Sequence, residues 1–371
     1  MSTTINAAVL RRTGEPLQFE RLSIDDPLAN EVLVRVERVG LCHSDLHYVR
    51  GSLSIDLPAL LGHEVVGVVE RVGGSATRFQ TGDRVVATVT PSCGACAQCL
   101  AGRPTQCCRV DTLRARPRPK HTAQDGSTVG SLGSVGAFAE AILVSESSLA
   151  AVDRSVPAEV ACLLGCCITT GVGAVVHSAR VTPADIVAVI GCGGVGMSAI
   201  QGARLAGARR IIAIDTVPGK LDAAKRFGAT DIVLTAPSVD ETVAALFQIV
   251  PTGVDHAIEA VGRTVTAELA FACLAPTGTA TILGLMPEGA RLTLPADALV
   301  YGDRVIRGAY MGANRFLSDV EMFIDHYRNG RLDLDAMVTR VVNFADINDG
   351  LTAMGEPDTV RVVVDMTEAS A

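Results

Sequence analysis

The stretch "AVIGCGGVG", residues 188–196, decides the fold of this chain. Its apolar run is followed by Gly191, Gly193 and Gly196 in the pattern G-x-G-x-x-G, and then by the helical pattern "GVGMSAIQGARLAG". The first glycine permits a tight turn, the second lets the backbone approach a pyrophosphate, and the third lets strand and helix pack closely. The stretch therefore predicts a dinucleotide-binding strand-turn-helix unit.

Strands and helices alternate on the C-terminal side of this unit. Strand patterns such as "RRIIAID" and "VDHAIEA" separate helical patterns such as "KLDAAKRFG" and "VDETVAALFQIV". This alternation predicts an α/β fold with a doubly wound parallel sheet. Asp215 ends the second strand, where its carboxylate can accept hydrogen bonds from ribose hydroxyls and would repel a 2′-phosphate. Because Thr216 follows it where an NADP-binding protein often has Arg, NAD is favoured.

The rest of the chain has a different pattern. Period-two apolar placement in "EVLVRVERVG", "EVVGVVERVG" and "DRVVATV" predicts an all-β section from about residue 32 to residue 89. After about residue 310 the pattern is mixed, with a helix near 317–329 and a closing strand "VRVVVDM". A chain of 371 residues exceeds what one hydrophobic core usually serves, so we expect two domains.

Five of the eleven cysteines lie in "PSCGACAQCLAGRPTQCC", residues 91–108. Four thiolates on one short loop can close a tetrahedral zinc shell, which is typical of a structural site. A disulfide framework would spread its cysteines and favour an even count, and a redox pair would need a helix N-terminus in a βαβ unit. Cys108 stays outside the predicted shell. The predicted ligands, spaced C-x2-C-x2-C-x7-C, are Cys93, Cys96, Cys99 and Cys107.

A second group of metal-ligand types is scattered. "GLCHSDLH" contains Cys42, "LGHEVVG" contains His63, and "LLGCCITTG" contains Cys166 and Cys167. Two sulfurs and one imidazole leave a fourth position open, as in the catalytic zinc site of alcohol dehydrogenase. Spacing alone cannot assemble this group, because a lone His or Cys in apolar surroundings is usually a core residue.

Charge and composition exclude several classes of protein. A formal charge of −8 and a pI near 5.4 oppose binding to nucleic acid. The basic segment 109–120 contains prolines and no aromatic residues, so we expect a solvated loop. The uncharged stretches 160–179 and 186–203 are broken by glycines, which favours buried elements over membrane spans. Neither end carries a targeting signal, so we expect a cytoplasmic protein.

In this order, these motifs, together with "GDRVV", resemble the zinc-dependent medium-chain alcohol dehydrogenases from about residue 7 to residue 366. The resemblance implies a GroES-like β-rich catalytic domain over 1–167 and a Rossmann NAD-binding domain over 168–310. A return segment over 311–371 would complete the first domain. It also implies two zinc ions per chain, a small alcohol or aldehyde as substrate, and a homodimer or homotetramer.

The resemblance also implies roles at the scattered group. Cys42, His63 and Cys166 would bind the catalytic zinc, since the first of the two adjacent cysteines occupies the family's "GC" position. Glu64 would lie next to the metal, and Asp45 would orient the His63 ring. The metal would act as a Lewis acid on the alcohol oxygen.

Further roles follow from the same matching. Ser44 and His47 would carry the released proton towards solvent. His43 stands where some members have Arg, so we expect its pyrophosphate contact to weaken as pH rises. The residues implied to contact the coenzyme are His43, Thr170, Gly191, Gly193, Gly194, Val195, Gly196, Asp215, Lys220, Arg263 and Arg361. Those implied to line the substrate pocket are Ser44, Leu53, Val89, Phe138, Leu285 and Tyr310.

These pocket residues are mostly apolar, and Val89 stands where relatives often have a bulkier aromatic residue. We therefore expect a medium-length or aromatic primary alcohol. One alternative is a nicotinoprotein that never releases NAD. Another is a thiol-adduct formaldehyde dehydrogenase, which Asp111 disfavours because the glutathione-dependent branch has a basic residue there, although Arg109 is nearby. A non-catalytic binding protein and a zinc-finger nucleic acid protein are the remaining alternatives, and the first of these would lack ligands or relay groups.

Overall fold

A computed structural model of the protein describes residues 2–367. Its strands are β1 (Thr3–Leu10), β2 (Gln18–Ile24), β3 (Glu31–Gly40), β4 (Ala59–Leu60), β5 (Glu64–Val72), β6 (Arg84–Ala87), β7 (His121–Ala123), β8 (Thr128–Ser131), β9 (Ala141–Ser145), β10 (Leu149–Ala151), β11 (Ile186–Ile190), β12 (Arg210–Asp215), β13 (Asp231–Leu234), β14 (Val254–Glu259), β15 (Leu274–Ile282), β16 (Val305–Gly308), β17 (Val338–Asn343) and β18 (Arg361–Asp365).

Its α-helices are α1 (His43–Arg50), α2 (Ala97–Leu100), α3 (Val110–Arg114), α4 (Ala158–Ala161), α5 (Cys167–Gly173), α6 (Gly194–Leu205), α7 (Pro218–Phe227), α8 (Val239–Ile249), α9 (Thr264–Ala272), α10 (Ala296–Tyr301), α11 (Phe316–Arg328) and α12 (Ile347–Ala353). Single-turn 3-10 segments include Cys162–Gly165 and Tyr310–Ala313, and Ala174–Ala179 continues α5 as a π-helix.

The predicted doubly wound sheet is confirmed. Its strand order is β13-β12-β11-β14-β15-β16, and each neighbouring pair is parallel. The order reverses between β11 and β14, so a crevice opens at the carboxyl end of β11, where ligands bind in such sheets. The stretch 188–196 supplies the end of β11, the turn and the start of α6, and therefore places the glycine-rich turn at this crevice.

The β-rich part contains two further sheets. Strands β1, β2, β7, β8 and β4 close a barrel, while β10, β6, β5, β3, β18 and β17 form a mixed sheet with β9 against β3. The C-terminal strand β18 pairs antiparallel with β3, so the return segment joins the N-terminal sheet. This pairing supports the division at 167 and 310, which remains a proposal.

One prediction of secondary structure is wrong. The section from 32 to 89 is not all-β, because "HSDLHYVR" forms α1. The backbone N–H of Cys42 donates to the Asp45 carboxylate at 3.1 Å, which begins the helix. Gly51 ends it with a φ of 76°, a left-handed conformation that favours glycine.

The expectation of a solvated basic loop is confirmed only in part, because most residues of 109–120 are exposed but others are held against the protein. Residues 110–114 form α3, and the Arg116 side chain is only 5% exposed. Arg116 forms ion pairs with Asp25 at 2.9 Å and with Glu31 at 3.0 Å. Lys120 Nζ donates to the Ser134 carbonyl at 2.8 Å, and burial lowers the pKa of Lys120 to about 8. The carboxylates of Asp25, after β2, and of Glu31, at the start of β3, thus hold part of the segment against the protein.

Within residues 2–367, no single helix combines the length and apolarity that a membrane crossing needs. The pair Ala158–Gly165 and Cys167–Ala179 reaches that level only when both halves are joined across a bend of 55°. Nearly all of its residues are buried in the protein.

Candidate functional site

Three distant segments bring the scattered ligand types together. Cys42 precedes α1, His63 lies between β4 and β5, and Cys166 lies between the 3-10 turn and α5. One ligand atom from each of these residues and from Glu64 lies within 4.8 Å of all the others, and all four residues are buried. Sulfur and imidazole donors in this number suit zinc. The adjacent Cys167 does not belong to the group, because its Sγ is directed to the Leu163 carbonyl at 3.7 Å.

The two thiols of this group, those of Cys42 and Cys166, are hydrogen-bonded to each other. The pKa of Cys42 is lowered well below its usual value, chiefly by a hydrogen bond with Cys166, and burial opposes this shift. Ser44 Oγ lies 3.0 Å from Cys42 Sγ and 3.4 Å from His63 Nε2. A thiolate is the form that binds metal, and the hydrogen bond that lowers the pKa of Cys42 raises the pKa of Cys166, so it favours the thiolate of Cys42 alone. The Ser44 hydroxyl is therefore placed directly beside the proposed metal ligands.

Glu64 is held by two partners behind the group. It forms a buried ion pair with Arg361 and accepts the backbone N–H of Cys167 at 3.1 Å. Burial raises the pKa of Glu64, and Arg361 opposes this shift. Arg361 also donates to the Leu41 carbonyl at 3.1 Å. A Cβ at Gly194 would meet Arg361 Cδ at 2.5 Å, so this arginine packs against the start of α6, as a pyrophosphate contact would require.

The four cysteines of the loop form a second group. One Sγ from each lies within 4.8 Å of the others, with Cys96 at 3.5 Å from Cys99 and 3.9 Å from Cys107. The pKa of Cys96 is lowered to about 5, chiefly by the backbone N–H of Cys99. Cys108 is exposed and lies outside the group. These contacts fit a closed shell of four thiolates.

The glycine-rich turn has the shape that a dinucleotide needs. Gly191 has a φ of 90°, and a Cβ at Gly196 would lie 1.7 Å from the Gly191 carbonyl oxygen. A Cβ at Gly193 would meet nothing within 4 Å, so its backbone faces open space at the start of α6. Asp215 accepts the backbone N–H groups of Cys192 at 2.7 Å and of Val217 at 2.9 Å. The turn and the carboxylate are therefore locked together.

Two predicted coenzyme residues flank this crevice. Lys220 is partly buried on α7, and Arg263 is exposed immediately before α9. His43 is exposed, and partial desolvation of its ring lowers its pKa to about 4. The weakening of its pyrophosphate contact as pH rises stays a prediction.

A cavity of about 260 Å³ lies beside the Cys42 group. The cavity reaches both the residues of the Cys42 group and the glycine-rich turn. Its lining consists of Cys42, His43, Ser44, His47, Tyr48, His63, Val89, Arg114, Leu132, Gly133, Cys166, Thr170, Val195, Ala260, Val261, Leu283, Gly284, Leu285, Tyr310 and Met311. Burial lowers the pKa of His47 and raises the pKa of Tyr48 and of Tyr310.

Two predicted pocket residues do not line this cavity. Phe138 is fully buried and packs on Gly62, where a Cβ would meet its ring at 2.5 Å. Leu53 lies after α1, half-buried and outside the lining. The resemblance implies that both side chains line the pocket. In the structure Phe138 lies in the core instead, and Leu53 lies in the segment after α1.

Two family models match the chain. The one described as alcohol dehydrogenase GroES-like domain matches residues 28–154, and the one described as zinc-binding dehydrogenase matches residues 194–326. A crystal structure of an alcohol dehydrogenase zinc-binding domain protein from Burkholderia ambifaria has 32% sequence identity and a TM-score of 0.91, covering 98% of this chain and 99% of that chain. The chain belongs to the zinc-dependent medium-chain alcohol dehydrogenase family.

Other members of the family share its architecture. The crystal structure of benzyl alcohol dehydrogenase from Acinetobacter calcoaceticus has 30% identity and a TM-score of 0.89, covering 98% of this chain and 99% of that chain. Alcohol dehydrogenase from Thermus sp. ATN1 has 26% identity and a TM-score of 0.78, covering 97% of this chain and 99% of that chain. The fold of this dehydrogenase is a GroES-like domain with a Rossmann-like domain.

Sequence reasoning missed several lining residues of this zinc-dependent dehydrogenase. Tyr48 lies four residues after Ser44 on α1 and could have been found from helical spacing. Arg114 lies in the segment that was expected to be a solvated loop, so no pattern directed it to the cavity. Met311 and Leu132 come from turns whose path depends on the assembled fold.

Proposed function

We propose that the protein interconverts a primary alcohol and its aldehyde, with NAD as the hydride carrier and a medium-length or aromatic alcohol as the substrate. The observation that carries this proposal is the cavity of about 260 Å³ that joins Cys42, His63 and Cys166 to Val195 of the glycine-rich turn. The likeness to a benzyl alcohol dehydrogenase supports an aromatic alcohol.

The residues have separable tasks. Cys42, His63 and Cys166 would hold a zinc ion, which supplies Lewis-acid chemistry that lowers the pKa of a bound hydroxyl. The Ser44 hydroxyl, placed beside these ligands, accepts the substrate proton as it releases its own towards His47 on the same cavity wall, and His47 releases a proton to solvent. The apolar walls exclude water, which protects the hydride-transfer step.

The choice of NAD rests on Asp215. Its position after β12 and its two backbone hydrogen bonds hold a carboxylate where the adenosine ribose would bind. A 2′-phosphate would meet this negative charge. We extend the proposal to a structural zinc ion on the four-cysteine loop and to a cytoplasmic homodimer or homotetramer.

The test combines composition with turnover. Metal and coenzyme analysis of the purified protein should give zinc at about two ions per chain. NADH formation with a panel of primary alcohols should then give higher kcat/KM for hexanol and benzyl alcohol than for ethanol. Faster turnover of ethanol would contradict the proposed substrate class.

Two further measurements separate the alternatives. NAD that stays bound through gel filtration would favour a nicotinoprotein over a dehydrogenase that releases its coenzyme. Turnover of formaldehyde that requires an added thiol would favour the thiol-adduct reaction. If the protein as purified contains no zinc and forms no NADH from any alcohol, the oxidoreductase proposal as a whole is contradicted.

A further inference from the structure

Arg114 brings a guanidinium group to the wall of the proposed substrate cavity. It is the last residue of α3, in the segment that follows the four-cysteine loop. Its Nη2 donates to the Val89 carbonyl, and Val89 also lines the cavity. This bond fixes the side chain against the wall.

The charge of Arg114 has no carboxylate counterpart in the described part of the chain. No ion pair joins it to an Asp or Glu among residues 2–367, and no Asp or Glu is among the residues that line the cavity. A partly buried cation without a counter-ion is costly, and such a group is usually satisfied by a ligand or by another polar group.

The neighbouring arginine shows the contrast. Arg116 on the same segment is paired with Asp25 and Glu31 and has a structural explanation. Arg114 lines the proposed substrate site instead and forms no ion pair with the residues from 2 to 367. The two residues therefore differ in function although they are two positions apart in the sequence.

Tyr310 connects Arg114 to the metal-ligand group. It lines the cavity and lies within electrostatic reach of Arg114 and also of Cys166 and His63. The guanidinium and the ligand group therefore border one continuous space. The lining of this space includes the apolar side chains of Leu132, Leu285 and Met311.

The geometry points to Arg114 as the residue that makes this cavity select alcohols and aldehydes carrying a carboxylate remote from the reacting carbon. A guanidinium can bind a carboxylate through two parallel hydrogen bonds, which a lysine cannot reproduce. The inference rests on the proposed function, because it requires the hydroxyl to lie at the Cys42 group. A small aromatic hydroxy acid such as 4-(hydroxymethyl)benzoate combines a carboxylate and a primary alcohol at opposite ends.

The experiment compares 4-(hydroxymethyl)benzoate with benzyl alcohol. For the native protein we expect kcat/KM to be higher for the acid, mainly through a lower KM. In Arg114→Gln the acid-to-alcohol ratio of kcat/KM should fall by about ten- to a hundredfold, the loss expected for a charged hydrogen-bonded pair. Arg114→Lys should restore only part of this ratio. Arg109→Gln, an exposed arginine of the same segment outside the lining, is the matched control and should keep the native ratio.

Calorimetric binding of 4-(hydroxymethyl)benzoate gives a readout that does not need turnover. Its Kd should rise in Arg114→Gln and not in Arg109→Gln. If the protein oxidises benzyl alcohol and Arg114→Gln does not change the acid-to-alcohol ratio of kcat/KM, this inference is overturned and the proposed function stays intact. No turnover of either alcohol by the zinc-loaded protein would overturn the proposed function and the inference with it.

Discussion

Asp45 Oδ1 lies 3.4 Å from Nδ1 of His63, and the Asp45 carboxylate is fully buried. The same carboxylate accepts the backbone N–H of Cys42 at 3.1 Å and the backbone N–H of Gly62 at 3.0 Å. Asp45 therefore joins the two segments that carry the first two proposed ligands. With Nδ1 facing Asp45, Nε2 of His63 is left to face the ligand group.

Replacing Asp45 by Asn should weaken metal binding at the Cys42 group without removing a ligand. The amide keeps the shape but loses the negative charge that fixes the imidazole and increases its basicity, so we expect metal affinity to fall by about 10- to 100-fold. Competition with a chelator measures this change. Asp56→Asn, in an exposed position, is the control. Equal metal affinity in Asp45→Asn and the native protein would show that the carboxylate does not support the ligand.

Cys96→Ser should remove metal from the four-cysteine loop. Cys96 contacts two other sulfurs of that group, so its loss opens the proposed tetrahedral shell. We expect about one metal ion fewer per chain and a lower Tm, at roughly 2–4 °C for each kcal/mol of lost stability. Cys108→Ser is a close control, because Cys108 is adjacent to the loop's last ligand and exposed. If Cys108→Ser loses metal and Cys96→Ser does not, the proposed assignment of the ligands is wrong.

Asp215→Asn should shift coenzyme preference towards NADP. Without the carboxylate a 2′-phosphate is no longer repelled. Each 1.4 kcal/mol of lost repulsion, roughly, corresponds to a tenfold change in the preference between the two coenzymes. We expect the NAD-to-NADP ratio of kcat/KM to fall by about tenfold or more, with little change in fold because Asn can still accept one of the two backbone N–H groups. Asp222→Asn on α7, whose side chain is 74% exposed, should leave the ratio unchanged. A ratio unaffected by both changes would contradict the role of Asp215.

The parallel sheet could be predicted because its information is local. Strands β11 and β12 are continuous apolar runs, and Gly191, Gly193 and Gly196 mark the turn where a Cβ would not fit or would block an approach. Local patterns also gave α6 and α11 close to their observed bounds. The barrel was not resolved from the sequence, because strands such as β4 and β7 are two or three residues long and depend on distant partners.

The site was predictable only in part for the same reason. The four-cysteine loop is contained in one short stretch, so spacing indicates it directly. Cys42, His63 and Cys166 are brought together by the fold, and only a family resemblance could group them. Neither spacing nor the family resemblance indicates that Arg114 lines the cavity. The segment that carries it is held by ion pairs of Arg116 with distant carboxylates, which only the assembled fold brings close.

The proton path provides a pH test. His47 lines the cavity, and burial lowers its pKa below the usual value of about 6.5. In alcohol oxidation the neutral imidazole accepts the proton, and protonation removes this capacity as pH falls through the lowered pKa. The acid limb of kcat should therefore lie below about pH 6.5.

In His47→Gln this acid limb should disappear, and kcat for alcohol oxidation at neutral pH should fall by about a hundredfold, the lower range for loss of a general base. His326→Gln on α11, outside the cavity, should keep the native profile. Steady-state kcat measured from pH 5 to 9 checks both variants. An unchanged acid limb in His47→Gln would assign the titrating group to another residue, and Ser44 would then pass its proton to water entering the cavity rather than to this imidazole.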